Sequence, residues 1–140
     1  LRETLAARRN VTHVFACYHR PAWGTGVKGN IKPIQEQWCP LFEEFQIAAA
    51  FENDHHVYTR TWPLTAGVRD DERGILYIGD GAWGAGTREI TDRKLKSVGA
   101  DIYLAKWARE NHLIRVDLEG GNERYEAKIA DGSVIDSWPE

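Results

Sequence analysis

Methionine is missing altogether from the 140-residue sequence. An open reading frame starts with methionine, so Leu1 is expected to lie within a longer chain or at a processed end, with any leader already out of sight. Cysteine is scarce too: Cys17 and Cys39 make no CxxC pair, which excludes a zinc ribbon or a dense disulfide framework. Both sit among apolar residues, in "VFACY" and "QWCPLF", so two buried thiols are expected rather than a bridge. No run is long and apolar enough to span a bilayer, so no membrane partner is expected. Positive charge is not in excess either. The 18 Lys plus Arg stand against 21 Asp plus Glu, a formal net charge of -3, which gives no electrostatic case for a nucleic-acid partner.

What is present fits a single domain over residues 1–140. That length can bury a core, and six tryptophans argue against a disordered composition. "LRETLAARRN" is rich in helix formers and reads as the end of an amphipathic helix. "VTHVFACY" is β-branched and aromatic and reads as a buried strand. The Gly- and Pro-punctuated "HRPAWGTGVKGNIKP" reads as a long loop. "IQEQWCPLFEEFQ" puts Ile34, Trp38, Leu41, Phe42 and Phe45 on one helical face, with a kink or break expected at Pro40. Strands are expected again at "IAAAF", "VYTRTWPL" and "GILYIGDG". From "ADIYLAKW" to the C-terminus polar and apolar residues alternate, with turn signals at "EGGNE" and "ADGS". The expected fold class is mixed α/β: a layered sheet-and-helix domain ending in an antiparallel C-terminal meander.

The chemistry concentrates in residues 51–64, "FENDHHVYTRTWPL", where two acids and two histidines fall among five consecutive residues. A polar turn, a pair of surface histidines and a hairpin connection are the plain readings. The sharper reading is a metal site. His19 stands at the end of the "VFACY" strand, and Asp54 and His56 stand at the end of "IAAAF". Two buried neighbouring strands would then end in imidazole and carboxylate groups, as an open α/β site requires at the carboxyl ends of its strands. In extended chain the i, i+2 pair Asp54 and His56 points to one side, and such mixed O and N donors suit Zn, Mn or Fe.

Taken in order, "ACYHRPAW", "FENDHHVYTRTWPL", "GILYIGDGAWG" and the closing "NHLIRVDLEGG" and "ADGSVIDSW" resemble the C-terminal half of a calcineurin-like metallophosphoesterase of the purple acid phosphatase type. In that family a strand ends in His before a Pro-containing loop, as His19 and Pro21 do. A helix follows, then a strand ending in Gly-His-x-His and continuing as Val-Tyr-x-Arg-Thr, which Val57, Tyr58, Arg60 and Thr61 match. The resemblance covers essentially the whole chain. It implies half of a metallophosphoesterase sandwich, without the Asp-x-His, Gly-Asp and Gly-Asn-His motifs of the N-terminal half.

The function so implied is metal-dependent phosphoester hydrolysis with two ions drawn from Fe, Zn and Mn, about 3.5–4 Å apart in the complete protein. His19 and Asp54 would hold one ion and His56 the other. Asp54 stands where the family carries a histidine; a carboxylate suits the same metals, and a one-residue shift making His55 the ligand stays open. Otherwise His55 is the candidate catalytic group, as a proton donor or substrate contact. The implied partners are a phosphoester substrate and either the missing N-terminal half or a second copy of the chain. Alone, the chain is expected to be inactive. The resemblance leans towards a secreted or periplasmic location.

Other signals carry other readings. Trp23, Trp62 and Trp83 fall in or beside loops, which supports the alternative of a non-catalytic module that binds carbohydrate or protein. Trp38 and Trp107 read as core. "GDGAWG" matches Gly-x-Gly-x-x-Gly, but Trp83 is bulky where a pyrophosphate would approach the backbone, and "AGTREITD" starts a helix poorly. A loop bordering the site is the reading kept. Arg20 and Arg60 either meet a phosphate or are plain surface charges. His13 reads as a satisfied core residue and His112 as a surface one.

Overall fold

The computed structural model describes residues 1–139. In chain order, α1 (Arg2–Ala6) leads to β1 (Phe15–Tyr18), and α2 (Lys32–Gln37) and α3 (Cys39–Phe45) lead to β2 (Ala49–Glu52). Then come β3 (Tyr58–Thr61), the short strands β4 (Leu64–Thr65) and β5 (Val68–Arg69), and β6 (Leu76–Gly79). After α4 (Asp92–Ser97) and α5 (Ala100–Tyr103) follow β7 (Leu104–Ala108), β8 (His112–Glu119), β9 (Asn122–Ile129) and β10 (Val134–Trp138).

The central sheet has five strands in the order β1-β2-β6-β3-β7. β1, β2 and β6 are parallel, and β3 runs antiparallel between β6 and β7. Phe15 pairs with Ala49 and Tyr18 with Glu52, so β1 and β2 end together. The two strands expected to be neighbours are adjacent, and they run parallel with α2 and α3 between them in the chain. Their carboxyl ends, the end of β6 and the start of β3 therefore share one edge.

Strand alternation divides the core into two layers. Ala50 and Tyr77 pack with Ile34, Cys39 and Phe42 of the helices, whereas Ala49, Leu76 and Ile78 pack with Tyr125 and Ala127 of the meander. Phe42, only 1% exposed, contributes about 1.5–3 kcal/mol by burial. The meander is a separate antiparallel sheet in the order β10-β9-β8. β7, which the alternation pattern assigned to the meander, pairs with β3 in the central sheet instead. "ADIY" folds as the helical turn α5, because this buries Ala100 and Tyr103 and lets the Tyr103 hydroxyl donate to the Gly24 carbonyl.

At Pro40 the helix breaks rather than kinks. Trp38 ends α2 and precedes α3, and Pro40 occupies the first turn of α3, where its missing N–H costs nothing. The break turns Trp38 outward, 38% exposed, and Trp107 is 39% exposed on the edge strand β7, so neither is core. Cys39 is buried, but Cys17 is exposed because β1 is the opposite edge strand.

Two of the polar ties between the meander and the rest are short. Arg60, 3% exposed, donates from Nε to Asp136 at 2.6 Å, and the Tyr58 hydroxyl donates to the same carboxylate at 2.7 Å. This joins β3 to β10. Asp136→Ala leaves a buried guanidinium uncompensated and is expected to lower the urea unfolding free energy by about 3–5 kcal/mol. A loss below about 1 kcal/mol would show that the pair is dispensable.

His13 makes the second tie, with Nδ1 2.6 Å from Glu123 Oε1 and Nε2 2.9 Å from the Gly120 carbonyl. Both ring nitrogens face acceptors, which suits the imidazolium, and the Glu123 hydrogen bond raises its pKa above the usual histidine value. A raised folded-state pKa gives stability that is present below about pH 6.5 and lost as pH rises through the folded value. The stability advantage of the wild type over His13→Gln should therefore shrink between pH 5.5 and 8.5 in urea titrations. An advantage that is constant with pH would rule out the charged pair.

Candidate functional site

The carboxyl ends of β1 and β2 are bound together by one buried acid. Glu52, 2% exposed, accepts hydrogen bonds at Oε1 from the Tyr18 hydroxyl and the Ala22 N–H, both at 2.7 Å. Its Oε2 lies 3.4 Å from the Trp23 N–H. Asn53 adds donations from its backbone N–H and its side-chain amide to the Tyr18 carbonyl at 3.1 and 2.8 Å. Burial pushes the Glu52 carboxyl up to about 7, with the Tyr18, Ala22 and Trp23 hydrogen bonds pulling the other way. The start of the loop after β1 is thereby fixed on both sides of His19.

Past Glu52 the chain leaves the strand. Asp54 and His56 have φ values of 66° and 57°, in the left-handed region, so they do not project as an extended i, i+2 pair. Instead Asp54 turns towards two cations and an imidazole. Its Oδ1 lies 3.3 Å from Lys28 Nζ, 3.7 Å from Arg88 Nη1 and 3.8 Å from His19 Nε2. Burial raises the Asp54 carboxyl, but the Lys28 interaction, then His19 and Arg88, outweigh this and hold it below the usual carboxylate range.

His56 faces the other side of Arg88. Its Nδ1 lies 3.1 Å from the Gly86 carbonyl and donates to it, which leaves the Nε2 lone pair 3.4 Å from Arg88 Nη2. His55 points inward and is fully buried, with Nδ1 3.4 Å from Thr25 Oγ1 and no partner for Nε2. Burial pulls its pKa down to about 4, so it is a neutral imidazole beneath the corner. Gly79 makes room for it: a Cβ there would collide with Thr59 Oγ1 and come within 3.3 Å of the His55 ring. His19 and Asp54 are thus brought together, His56 is joined to Asp54 through Arg88, and His55 lies below.

As a metal site the corner is partial. His19 Nε2 and Asp54 Oδ1 offer one nitrogen and one oxygen, half of a four-coordinate shell, and suit one ion whose other ligands come from elsewhere. A two-ion centre does not fit the residues as arranged, since the His56 lone pair is taken up by Arg88. Among the described residues no group of three or more His, Cys, Asp or Glu is placed to hold a metal. No helix among them is long and apolar enough to cross a membrane.

Three contributors were not legible in the sequence. In the sequence Glu52 is only one acid of a cluster. Lys28 lies in a Gly-rich loop folded by Gly24 N–H donation to Asn30 Oδ1 at 2.7 Å, and Arg88 lies far along the chain in a loop. No spacing rule links either to Asp54. Arg20 is exposed, while Arg60 is committed to Asp136. His112 is fully buried rather than on the surface, with Nε2 3.6 Å from Asp80 Oδ1 and its ring edge-on to Tyr58 at 5.2 Å. After "GDGAWG" no helix begins until Asp92, so no helix N-terminus meets those glycines.

No protein-family model matches the chain, and no curated protein matches it. Among solved structures it is similar to a purple acid phosphatase isolated from yellow lupin (Lupinus luteus) seeds, with a TM-score of 0.75 and 17% sequence identity. The alignment covers 97% of this chain and 26% of the lupin protein, so the chain spans about a quarter of its length. At this identity the likeness is one of fold: a partial metallophosphoesterase-like α/β fold with the C-terminal meander.

Removing the Glu52 carboxylate strands the buried Tyr18 hydroxyl and Ala22 N–H. Glu52→Ala is expected to destabilise by about 2–4 kcal/mol in urea unfolding. Amide exchange at residues 18–23 should also rise more than at the β8–β9 turn. Uniform exchange across both regions would contradict a local tie.

Proposed function

We propose that this chain forms the C-terminal portion of the catalytic domain of a metal-dependent phosphoester hydrolase, a calcineurin-like metallophosphoesterase of the purple acid phosphatase type. One observation carries the reading. Parallel, adjacent β1 and β2 end with His19 Nε2 and Asp54 Oδ1 3.8 Å apart, in a fold similar to a purple acid phosphatase. His19 and Asp54 would hold one ion (Fe, Zn or Mn), which supplies Lewis acidity and a bound water of lowered pKa. Lys28 and Arg88, 36% and 32% exposed, add positive charge beside the pair and favour an anionic phosphoester over a neutral ester. The remaining ligands would come from an N-terminal half or from a second copy of the chain. His56 can serve a second ion only if Arg88 withdraws, and His55 supports the corner from below.

A second reading has its own observation: Trp83 is 70% exposed in the loop after β6, a surface on which a sugar ring can stack. Carbohydrate binding that persists in a His19→Ala, His56→Ala double variant would favour this non-catalytic module.

The coding sequence ahead of Leu1 is expected to carry Asp-x-His, Gly-Asp and Gly-Asn-His in that order; a sequence without them contradicts the proposal. The chain alone should turn over p-nitrophenyl phosphate negligibly with added Mn, Fe or Zn, because half a shell cannot position two ions and a hydroxide. Turnover that survives repurification and vanishes in His19→Ala would mean that a second copy, not an N-terminal half, completes the site.

A further inference from the structure

Arg88 is held in place from several sides. Its backbone N–H donates to the His56 carbonyl at 3.2 Å, and its Nη1 donates to the Asp54 carbonyl at 2.5 Å. The same Nη1 lies 3.7 Å from the Asp54 carboxylate, and Nη2 lies 3.4 Å from His56 Nε2. The Gly86 carbonyl takes the Nδ1 proton of His56, so the imidazole presents its one lone pair to the guanidinium. A carboxylate and an imidazole lone pair converging on one positive group is the donor set of a metal site. The positive group here is a side chain that keeps its charge at every accessible pH. Lys28 stands on Asp54 as well, so an incoming ion would have to displace the guanidinium beside a second like charge. The His19 side is open by contrast, with that side chain 73% exposed.

We propose that Arg88 is the cation of the Asp54–His56 corner, standing in the place of a metal ion. The wild-type half-site then takes at most one divalent ion, on the His19 side of Asp54. The identity of the latent ligands rests on the phosphoesterase reading. Arg88 thus sets how many ions this wall of the site accepts, and its guanidinium must withdraw before His56 can ligate.

The test is a Zn2+ titration of the chelator-stripped chain, followed by 15N NMR of the histidine side chains, with no activity required. In the wild type, the His56 Nε2 resonance is expected to stay unshifted over the Zn2+ range in which Arg88→Ala shifts it. The half-saturation concentration at His56 should fall about tenfold or more in Arg88→Ala, the scale expected when a neighbouring charge is removed. Arg88→Lys, which keeps the charge, should behave like the wild type. Amide spectra of each variant check that the fold persists, and Arg88→Gln is the neutral alternative if Arg88→Ala does not fold. The proposal is overturned if His56 binds Zn2+ equally well with and without Arg88, or if it binds none in either. Failure of the parent reading looks different: His19 would then be silent to Zn2+ in every variant while His56 still follows Arg88.

Discussion

The buried carboxylate of Glu52 is the constraint on which the corner depends, because it ties two strand ends that backbone pairing alone would leave free. β1 and β2 stop pairing at Tyr18 and Glu52, and beyond that point each chain turns into a loop. Burying an acid is costly, and its raised pKa of about 7 reflects that cost. Donors from Tyr18, Ala22 and Trp23 offset it, and all three belong to the chain on either side of His19. His19 is therefore held beside Asp54 by a residue that takes no part in the corner itself.

Charge then decides what the corner can do. Asp54 is the one carboxylate among Lys28, Arg88 and His19, and its negative charge is answered within the chain. A site prepared for two ions would present donors; this one presents a donor pair at His19 and Asp54 and a guanidinium across His56. The buried Arg60–Asp136 pair is a different use of the same residue types. It sits between the central sheet and the meander and stabilises the layering, so arginine next to the histidine motif in sequence serves packing while the distant Arg88 serves the corner.

The fold was largely legible, and the corner only in part. The short continuous apolar runs "VFACY", "IAAAF" and "GILYIG" mark buried strands, and Pro40 marks a break because it lacks an N–H. Alternation places β7 with the meander, but it reports a half-buried strand and not its partner, and β7 pairs with β3. The meeting of His19 with Asp54 followed from reading both at parallel strand ends. The left-handed backbone at Asp54 and His56 was not foreseeable from a pattern of residue types, and it separates two side chains that an extended strand would align. Lys28, Arg88 and the inward turn of His55 arise from loops, where tertiary contacts rather than periodicity choose the conformation.

The most direct measurement is anomalous diffraction from crystals of the chain soaked in Zn2+ and recorded across the zinc edge. A peak is expected within about 2.0–2.2 Å of both His19 Nε2 and Asp54 Oδ1, with Arg88 still on His56. A map with no peak at that corner, or with a peak on His56 and Arg88 displaced, would contradict the half-site.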